Sequence, residues 1–363
     1  MKKIKSWLMG VIAGANVATV IFMLFAGFAG HIDPAAQPTL SCFAIIFPFL
    51  AVMNLLFLFF WLIVKWRWAL IPFIGFLLAY VPVRTYCPFN LPSAPPDDAI
   101  KIVSWNVQLY TGAPRYKDAF DIIYDYIRDV KADIVCLQED HDEWRSKSKH
   151  ISDLFNYNDT VRFKATGSIN AIGIHTRYPI IRRERISYTS RANGSVAWFL
   201  QMGNDTLIVI NNHLESNHLT RDDRSHYTQI VKGYMQRDTA RVESRRLLTK
   251  LAEATAQRAP QALAVHQYIE EHRKQGYSII VCGDFNDNPL SYARHTIGEG
   301  LTDCYVSTAN GPGWSYNNNG FNFRIDNMMC TPDIEPYQCK IDSKIDASDH
   351  YPLICWMKIP LNH

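Results

Sequence analysis

The sequence predicts a layered α/β domain with mixed β-sheets, carried behind an apolar N-terminal segment. Three observations predict it. Three apolar runs fill residues 7–83, a proline-rich stretch follows at 91–99, and from residue 100 strand-like apolar segments alternate with helix-period segments.

Trp7–Ala29 and Ser41–Val64 contain no charged residue, and each exceeds the roughly 20 residues that cross a hydrocarbon core as helix. Trp68–Val83 is shorter, at 16 residues, and is flanked by Arg67 and Arg84, which can snorkel outward from its ends. A cleaved signal peptide is the alternative for the first run, because Lys2, Lys3 and Lys5 precede it. The length of that run and the two runs behind it favour membrane helices. Lys2, Lys3, Lys5 and the turn with Lys65 and Arg67 belong on the cytoplasmic side, and the loop with Asp33, free of Lys and Arg, belongs outside. The expectation is a multi-pass anchor in the cell membrane over residues 1–90, with about three transmembrane helices, and an extracytoplasmic domain. Sidedness reverses if the third run does not span. The helices hold no internal acid or base for ion coupling, which favours an anchor over a transporter.

Residues 91–99, "LPSAPPDDA", read as an extended Pro-rich linker, and residues 100–363 as the domain. Of 37 Lys and Arg and 34 Asp and Glu, six and one precede residue 96, leaving 31 basic and 33 acidic residues behind it. A broad nucleic-acid footprint carries a basic excess, and this domain has none. Cys136, Cys282 and Cys355 lie in apolar strand runs and read as core thiols. Cys304, Cys330 and Cys339 lie outside that class, and a Cys330–Cys339 bridge across a turn is open to the chain if the domain is exported. No CxxC or Cys/His spacing marks a zinc site.

Within the domain, "IKIVSWNVQL" (100–109) alternates as a strand, and 116–130 carries Phe120, Ile123, Ile127 and Val130 at helical spacing. Strands follow at 132–139, 171–176, 196–202 and 206–215. Residues 222–272 read as mostly helical, with Leu247, Leu251, Ala254, Val265 and Ile269 as candidate buried positions. Pro260 should kink that region or start a second helix. Strands at 277–285, 323–330 and 351–359 complete the set.

Several strands run into polar groups. These are Asn106, Glu139, Asn212 with His213, Asp284 with Asn286, Asp326, and Ser348–Asp349–His350. Each alone has an ordinary explanation as a turn residue, a cap or a satisfied strand histidine. Together they suggest convergence, because strand ends of α/β sheets meet at one crevice. Acids, amides and histidines gathered there suit a divalent cation beside a phosphate.

In this order "SWNV", "LQE", "NHLES", "GDFND", "RIDNM" and "SDHYPL" resemble the motif series of the endonuclease/exonuclease/phosphatase superfamily, which includes DNase I-like nucleases, inositol polyphosphate 5-phosphatases and neutral sphingomyelinases. The resemblance covers roughly residues 100–358 and implies a four-layer sandwich, two mixed β-sheets packed face to face and flanked by helices. It implies Glu139 as the main Mg²⁺ ligand, with Asn106 and Asp349 near the metal, and Mn²⁺ as the other candidate ion. Asp284 would position or deprotonate the attacking water, and Asn286 would donate to the phosphate. His213 and His350 would bracket that phosphate, with Asp326 orienting His350. Whether Asp284 or His350 takes the water proton stays open.

"NNHLES" is a looser match than the rest. The long stretch 216–260 carries Arg221, Arg224, Arg237, Arg241, Arg245 and Arg246 among acids. It reads either as a solvated helix face or as an element covering substrate or touching anionic head groups. Trp314, Tyr316 and Phe321 sit in a loop expected beside the site.

The expected function is a membrane-anchored Mg²⁺-dependent phosphoric ester hydrolase. Its substrate would be a lipid head group, a small phosphate ester or a nucleic acid, with lipid or small ester preferred. A nuclease is the alternative within that class, and a catalytically silent membrane-tethered binding module is the alternative outside it. No protein partner is predicted.

Overall fold

The strand signals resolve into two six-stranded mixed sheets in the computed structural model, which describes residues 2–112, 118–141, 149–165, 168–318 and 321–360. The strands are β1 (Ile100–Asn106), β2 (Ile134–Gln138), β3 (Tyr157–Ala165), β4 (Ser168–Thr176), β5 (Ile180–Ile186), β6 (Gly194–Met202), β7 (Asp205–His213), β8 (Ser278–Asp284), β9 (Thr302–Asp303), β10 (Tyr316–Asn318), β11 (Phe321–Phe323), β12 (Asp326–Cys330), β13 (Glu335–Ile341) and β14 (Leu353–Lys358). One sheet runs β13-β14-β1-β2-β4-β3 and the other β5-β6-β7-β8-β12-β9. The pairs β1–β2 and β7–β8 are parallel, and β10–β11 form a separate hairpin.

The helices are α1 (Lys2–Gly27), α2 (Pro38–Ser41), α3 (Phe47–Val64), α4 (Leu70–Leu78), α5 (Tyr80–Tyr86), α6 (Ala119–Val130), α7 (Arg221–Val231), α8 (Arg237–Lys274), α9 (Tyr292–Ile297) and α10 (Cys304–Thr308). Of the stretch expected to be helical from 116, residues 116 and 117 lie outside the described residues, and Asp118 precedes α6.

Alternation within the strands builds the layers. Ile102, Cys136 and Ile172 of the first sheet meet Trp198, Val209, Cys282 and Met328 of the second in one core. The opposite parity faces the helices. Val103, Trp105, Val135 and Leu137 pack on Phe120, Ile123 and Ile127 of α6. Ile208, Ile210, Ile279 and Val281 pack on Ala262, Val265 and Ile269 of α8. The result is a four-layer sandwich, helix, sheet, sheet, helix.

Two expectations change. The helical break falls at 232–236, and α8 continues through Pro260. Ala259, Ala262 and Val265 are buried around that position and hold the helix to the sheet, while Pro260 itself faces solvent. No Cys330–Cys339 bridge forms. All eight cysteines are free, and the Cys330 thiol sits 3.8 Å from Cys304 Sγ instead, because Cys304 starts α10 beside β12.

In the N-terminal unit, Ser6–Gly27 and Pro38–Val64 are long and apolar enough to cross a membrane, and Trp66–Leu78 with Tyr80–Tyr86 qualifies only as a pair bent by 68°. Trp61 Nε1 donates to Asn16 Oδ1 at 3.0 Å and Asn54 Nδ2 lies 3.7 Å from Met23 Sδ, which ties α1 antiparallel to α3. Gly75 lies against Val20 and Gly27 against Pro82, so α4 and α5 run alongside α1 in the same direction. This unit docks on the domain. Gly30 lies against the Leu290 and Ser291 carbonyls, and buried Arg324 donates to the carbonyls of Thr85, Tyr86 and Pro312.

Candidate active site

The inward strand faces change from apolar to polar at one end of the sandwich. In β1 the inward row runs Ile102, Ser104, Asn106, and in β7 it runs Val209, Asn211, His213. In β8 it runs Ile280, Cys282, Asp284, and in β12 Asp326 continues the row of Met328 and Cys330. Register then aligns three of these groups, because Asp284 pairs with His213 on one side and with Asp326 on the other. Neighbouring side chains in such a row stand about 5 Å apart.

His350 reaches the row from the opposite sheet, in the turn before β14. Ser348 Oγ donates to the Asn106 carbonyl at 2.7 Å, and Trp105 Nε1 donates to the His350 carbonyl at 2.8 Å, which fixes the turn against β1. His350 Nδ1 lies 2.9 Å from Asp326 Oδ2, and its Nε2 lies 3.6 Å from Asp284 Oδ2. His213 Nε2 lies 3.7 Å from the same Asp284 oxygen. Asn106 Nδ2 donates to Asp284 Oδ2 at 3.2 Å and to Glu139 Oε1 at 3.3 Å. Asp284 thus stands between two imidazoles with Glu139 across the gap.

Backbone conformation supports this placement. Gly283 has φ +124°, and a Cβ there would run into the Asn212 carbonyl, so the motif tolerates only glycine before Asp284. Glu139 and Asn286 have φ of 57° and 53°, a region that costs a non-glycine residue energy and often marks a functional position. Asn286 N donates to Asp284 Oδ1 at 2.8 Å, and its side-chain amide donates to the Leu214 carbonyl at 2.9 Å.

Asn106, Glu139, His213, Asp284, Asn286, Asp349 and His350 line one cleft of about 380 Å³, and Asp326 stands behind His350. Burial opposes charge on His350, but the carboxylates of Asp326, Asp284 and Asp349 outweigh it and raise its pKa to about 10. Burial lowers His213, which is therefore neutral at pH 7. Asn170 fixes its tautomer. The Asn170 Oδ1 accepts from Ala171 N at 2.7 Å, so its amide nitrogen faces His213 Nδ1 at 2.8 Å and the imidazole proton sits on Nε2. Burial and the Asp326 charge raise Asp284. Burial and the Asp349 charge raise Glu139.

Those last two shifts describe carboxylates crowded without enough positive charge. Asp326 Oδ1 is likewise buried with no hydrogen-bond partner among the described residues. Asp284, Asp326 and His350 offer ligand atoms within 4.8 Å of one another, although the His350–Asp326 bond already occupies two of them. The carboxylate oxygens of Glu139 and Asp349 fit a hard divalent cation better than zinc, and Asn106 would join them by turning its Oδ1, which now accepts from Gln108 N at 3.0 Å, toward Glu139.

Residues 103–350 match the family model described as "Endonuclease/Exonuclease/phosphatase family". The chain belongs to this family. Its class of activity is accordingly that of a phosphoesterase- or nuclease-type hydrolase, and enzymes of this family usually use divalent metals. Residues 9–86 match a domain of unknown function. No curated protein matches the chain. Among solved structures, the human Nocturnin catalytic domain with bound sulfate is 14% identical at TM-score 0.51, covering 74% of this chain and 97% of that one. An endonuclease/exonuclease/phosphatase from Beutenbergia cavernae is 14% identical at TM-score 0.50, covering 72% of each chain. Both share the fold.

This family member also recruits residues that sequence reading missed. Asn170 is one. Arg258 is another, buried on α8 and bonded to Asp287 Oδ2 at 2.8 Å and to the Glu215 carbonyl at 3.0 Å, where it braces the turn after β8. Of the six arginines noted in 216–260, Arg224 alone lines the cleft, 5.8 Å from the Tyr316 ring centroid. Arg221, Arg237, Arg241, Arg245 and Arg246 are exposed. Tyr316 packs edge-on against His350 at 5.0 Å, Trp314 is exposed, and the Phe321 side chain lies outside the described ones.

Proposed function

We propose that this chain is a membrane-held, divalent-metal-dependent phosphoric ester hydrolase in which water displaces an ester oxygen in line at phosphorus. The observation that carries this reading is Asp284 held between His213 and His350, with Asn106 and Glu139 facing it from the other sheet.

The charge states support the following proton steps. His350 is already protonated at neutral pH, so it serves as a fixed cation beside the phosphate oxygens rather than as a base. Asp284, whose carboxyl is raised by burial, takes the proton of the attacking water. His213 presents its Nε2 proton to a phosphate oxygen. Asn286 keeps one amide hydrogen for the same purpose while the other holds Leu214. The departing ester oxygen takes a proton from solvent, and Asp284 returns the one it accepted to solvent, so the step balances. Glu139, Asn106 and Asp349 would hold Mg²⁺ or Mn²⁺, which supplies charge neutralisation at the phosphate when bound. Asp326 orients His350 and maintains its charge.

The proposed organisation is an anchor over 1–90, a linker over 91–99 and a catalytic domain over 100–363. The directions of α1, α3 and α4–α5 support three crossings, with the domain at the membrane surface outside the cytoplasm.

The test uses the full chain in detergent with Mg²⁺, supplied with bis(4-nitrophenyl) phosphate and, separately, supercoiled plasmid. Turnover of the ester that disappears with chelator and in Asp284→Ala supports the assignment. Nicking in place of ester turnover makes the protein a nuclease, and no turnover of any phosphate ester favours the silent binding module.

A further inference from the structure

The catalytic domain does not close its cleft alone. Cys42 and Ile45, in the 3₁₀ turn Cys42–Ile46, form part of its wall. Cys42 Sγ lies 3.8 Å from Thr255 Oγ1 of α8. Leu251 and Leu247, one and two turns earlier on α8, continue that wall. Leu251 is only half-buried, because its outer side faces the cleft rather than the core. The apolar wall therefore shares one space with Glu139, Asp284 and His350.

This wall is also the end of an apolar helix. α3 begins at Phe47, two residues beyond Ile45, and lies within the candidate span Pro38–Val64. The α7–α8 hairpin beside the cleft exposes Val231, Tyr234 and Val242 at 55%, 80% and 64%, with Lys232, Arg237 and Arg241 among them. Exposed apolar side chains interleaved with basic ones suit the head-group layer of a bilayer. Inside the cleft, Arg224 forms no ion pair among the described residues, leaving its guanidinium for an anion.

We infer that the N-terminal helical unit is part of the substrate site, and that the substrate is a membrane phospholipid. Its phosphate lies among Glu139, Asp284, His350 and Arg224. Its glycerol and proximal acyl carbons lie on Cys42, Ile45, Leu247 and Leu251. This rests on the hydrolase reading above. A small polar ester would leave the apolar wall wet, whereas a lipid buries it. The reaction adds a water oxygen to phosphorus, breaks one phosphorus–oxygen ester bond, and returns a proton to the departing oxygen.

The experiment uses the full chain in nanodiscs of phosphatidylethanolamine and phosphatidylglycerol with Mg²⁺. Lipid hydrolysis and bis(4-nitrophenyl) phosphate hydrolysis are measured for the wild type, Ile45→Glu and Leu251→Glu. In parallel, phosphatidylglycerol with a diazirine near the start of one acyl chain is photolysed with the wild type and the adducts are mapped by mass spectrometry. Adducts within 42–46 and 247–251 are expected. Each variant should lower the ratio of lipid to soluble-ester turnover by about tenfold or more, since a carboxylate in that wall disfavours burial of the acyl chain, which the soluble ester lacks. Wild-type turnover of the soluble ester without lipid hydrolysis or adducts at those positions overturns the inference and leaves the hydrolase reading standing. Equal loss of both activities in the variants, with adducts elsewhere, also overturns it. No turnover of either substrate removes the hydrolase reading and the inference together. The adduct map needs no variant, so it decides even if both substitutions unfold the protein.

Discussion

Asp326 Oδ2 lies 2.9 Å from His350 Nδ1, and strand register puts it there, since Asp326 pairs directly with Asp284 across β12 and β8. Burial works against the imidazolium, and Asp326 heads the carboxylates that restore it. Asp326→Asn keeps the shape and removes the charge. The expected result is a fall in kcat/KM of about 10- to 100-fold, with the basic limb of its pH profile displaced to lower pH. A limb that stays in place would show that the His350 charge has no part in turnover. The same shift bears on stability. The His350 pKa rises on folding from 6.5 to about 10. Its charge therefore stabilises the fold fully below about 6.5, and that contribution is lost as pH rises through about 10.

Asp284 shows the opposite balance. Its carboxylate is disfavoured by burial and by Asp326, while the His350 charge only partly offsets those effects. A neutral isostere removes a buried charge from a crowded acidic site. Asp284→Asn should therefore abolish at least about 10²-fold of turnover while the melting temperature stays level or rises. A large fall in melting temperature would mean that the carboxylate is a structural ion-pair partner first.

These residues were legible because period-two alternation extends the core rows Ile102–Ser104–Asn106 and Ile280–Cys282–Asp284 directly into the site. Apolar patterning and candidate-site position carry the same signal. The edge strands were not legible. β5 reads "IIRRERI", and β3 and β13 are similarly rich in charged and polar residues, as befits strands at sheet edges that face water. Asn170 carries no motif and matters only because β4 brings it to His213. Ile45 reads as part of an apolar helix, and its place in the cleft depends on how that unit docks. Long-range packing of this kind has no local pattern in the chain.

Asp223 gives a prediction at acid pH. It caps α7 through Thr220 and binds Lys250 Nζ and Arg246 of α8, each at 2.6 Å. Burial pushes its carboxyl up, but Lys250 and Thr220 overcome this and lower it to about 2. A depressed carboxylate stabilises above its unfolded pKa of about 3.9 and loses that contribution as pH falls toward the folded value. The wild type should thus lose stability between about pH 4 and 2 more steeply than Asp223→Asn, by an amount on the order of 1–2 kcal/mol after screening of the partly exposed partners. Chemical denaturation at about pH 6, 4 and 3 checks it, and parallel curves for the two proteins would refute the linkage.

Arg324 ties the helical unit to the site. It is buried, donates to the Thr85, Tyr86 and Pro312 carbonyls, and stands two residues from Asp326. Burial lowers its pKa and the Asp303 charge opposes that, while the three carbonyls satisfy its N–H groups. Arg324→Leu leaves three carbonyls without that donor and should cost about 2–4 kcal/mol. The loss should be local before it is global. Limited proteolysis should cut faster within 91–99, where the linker leaves α5, while cleavage inside the sandwich changes little. Turnover should fall as well, because β12 starts at Asp326 and loses its brace on the α5 side. Unchanged cleavage at the linker with reduced turnover would place the role of Arg324 in the site alone, and uniform cleavage throughout the domain would make it a residue of the global fold.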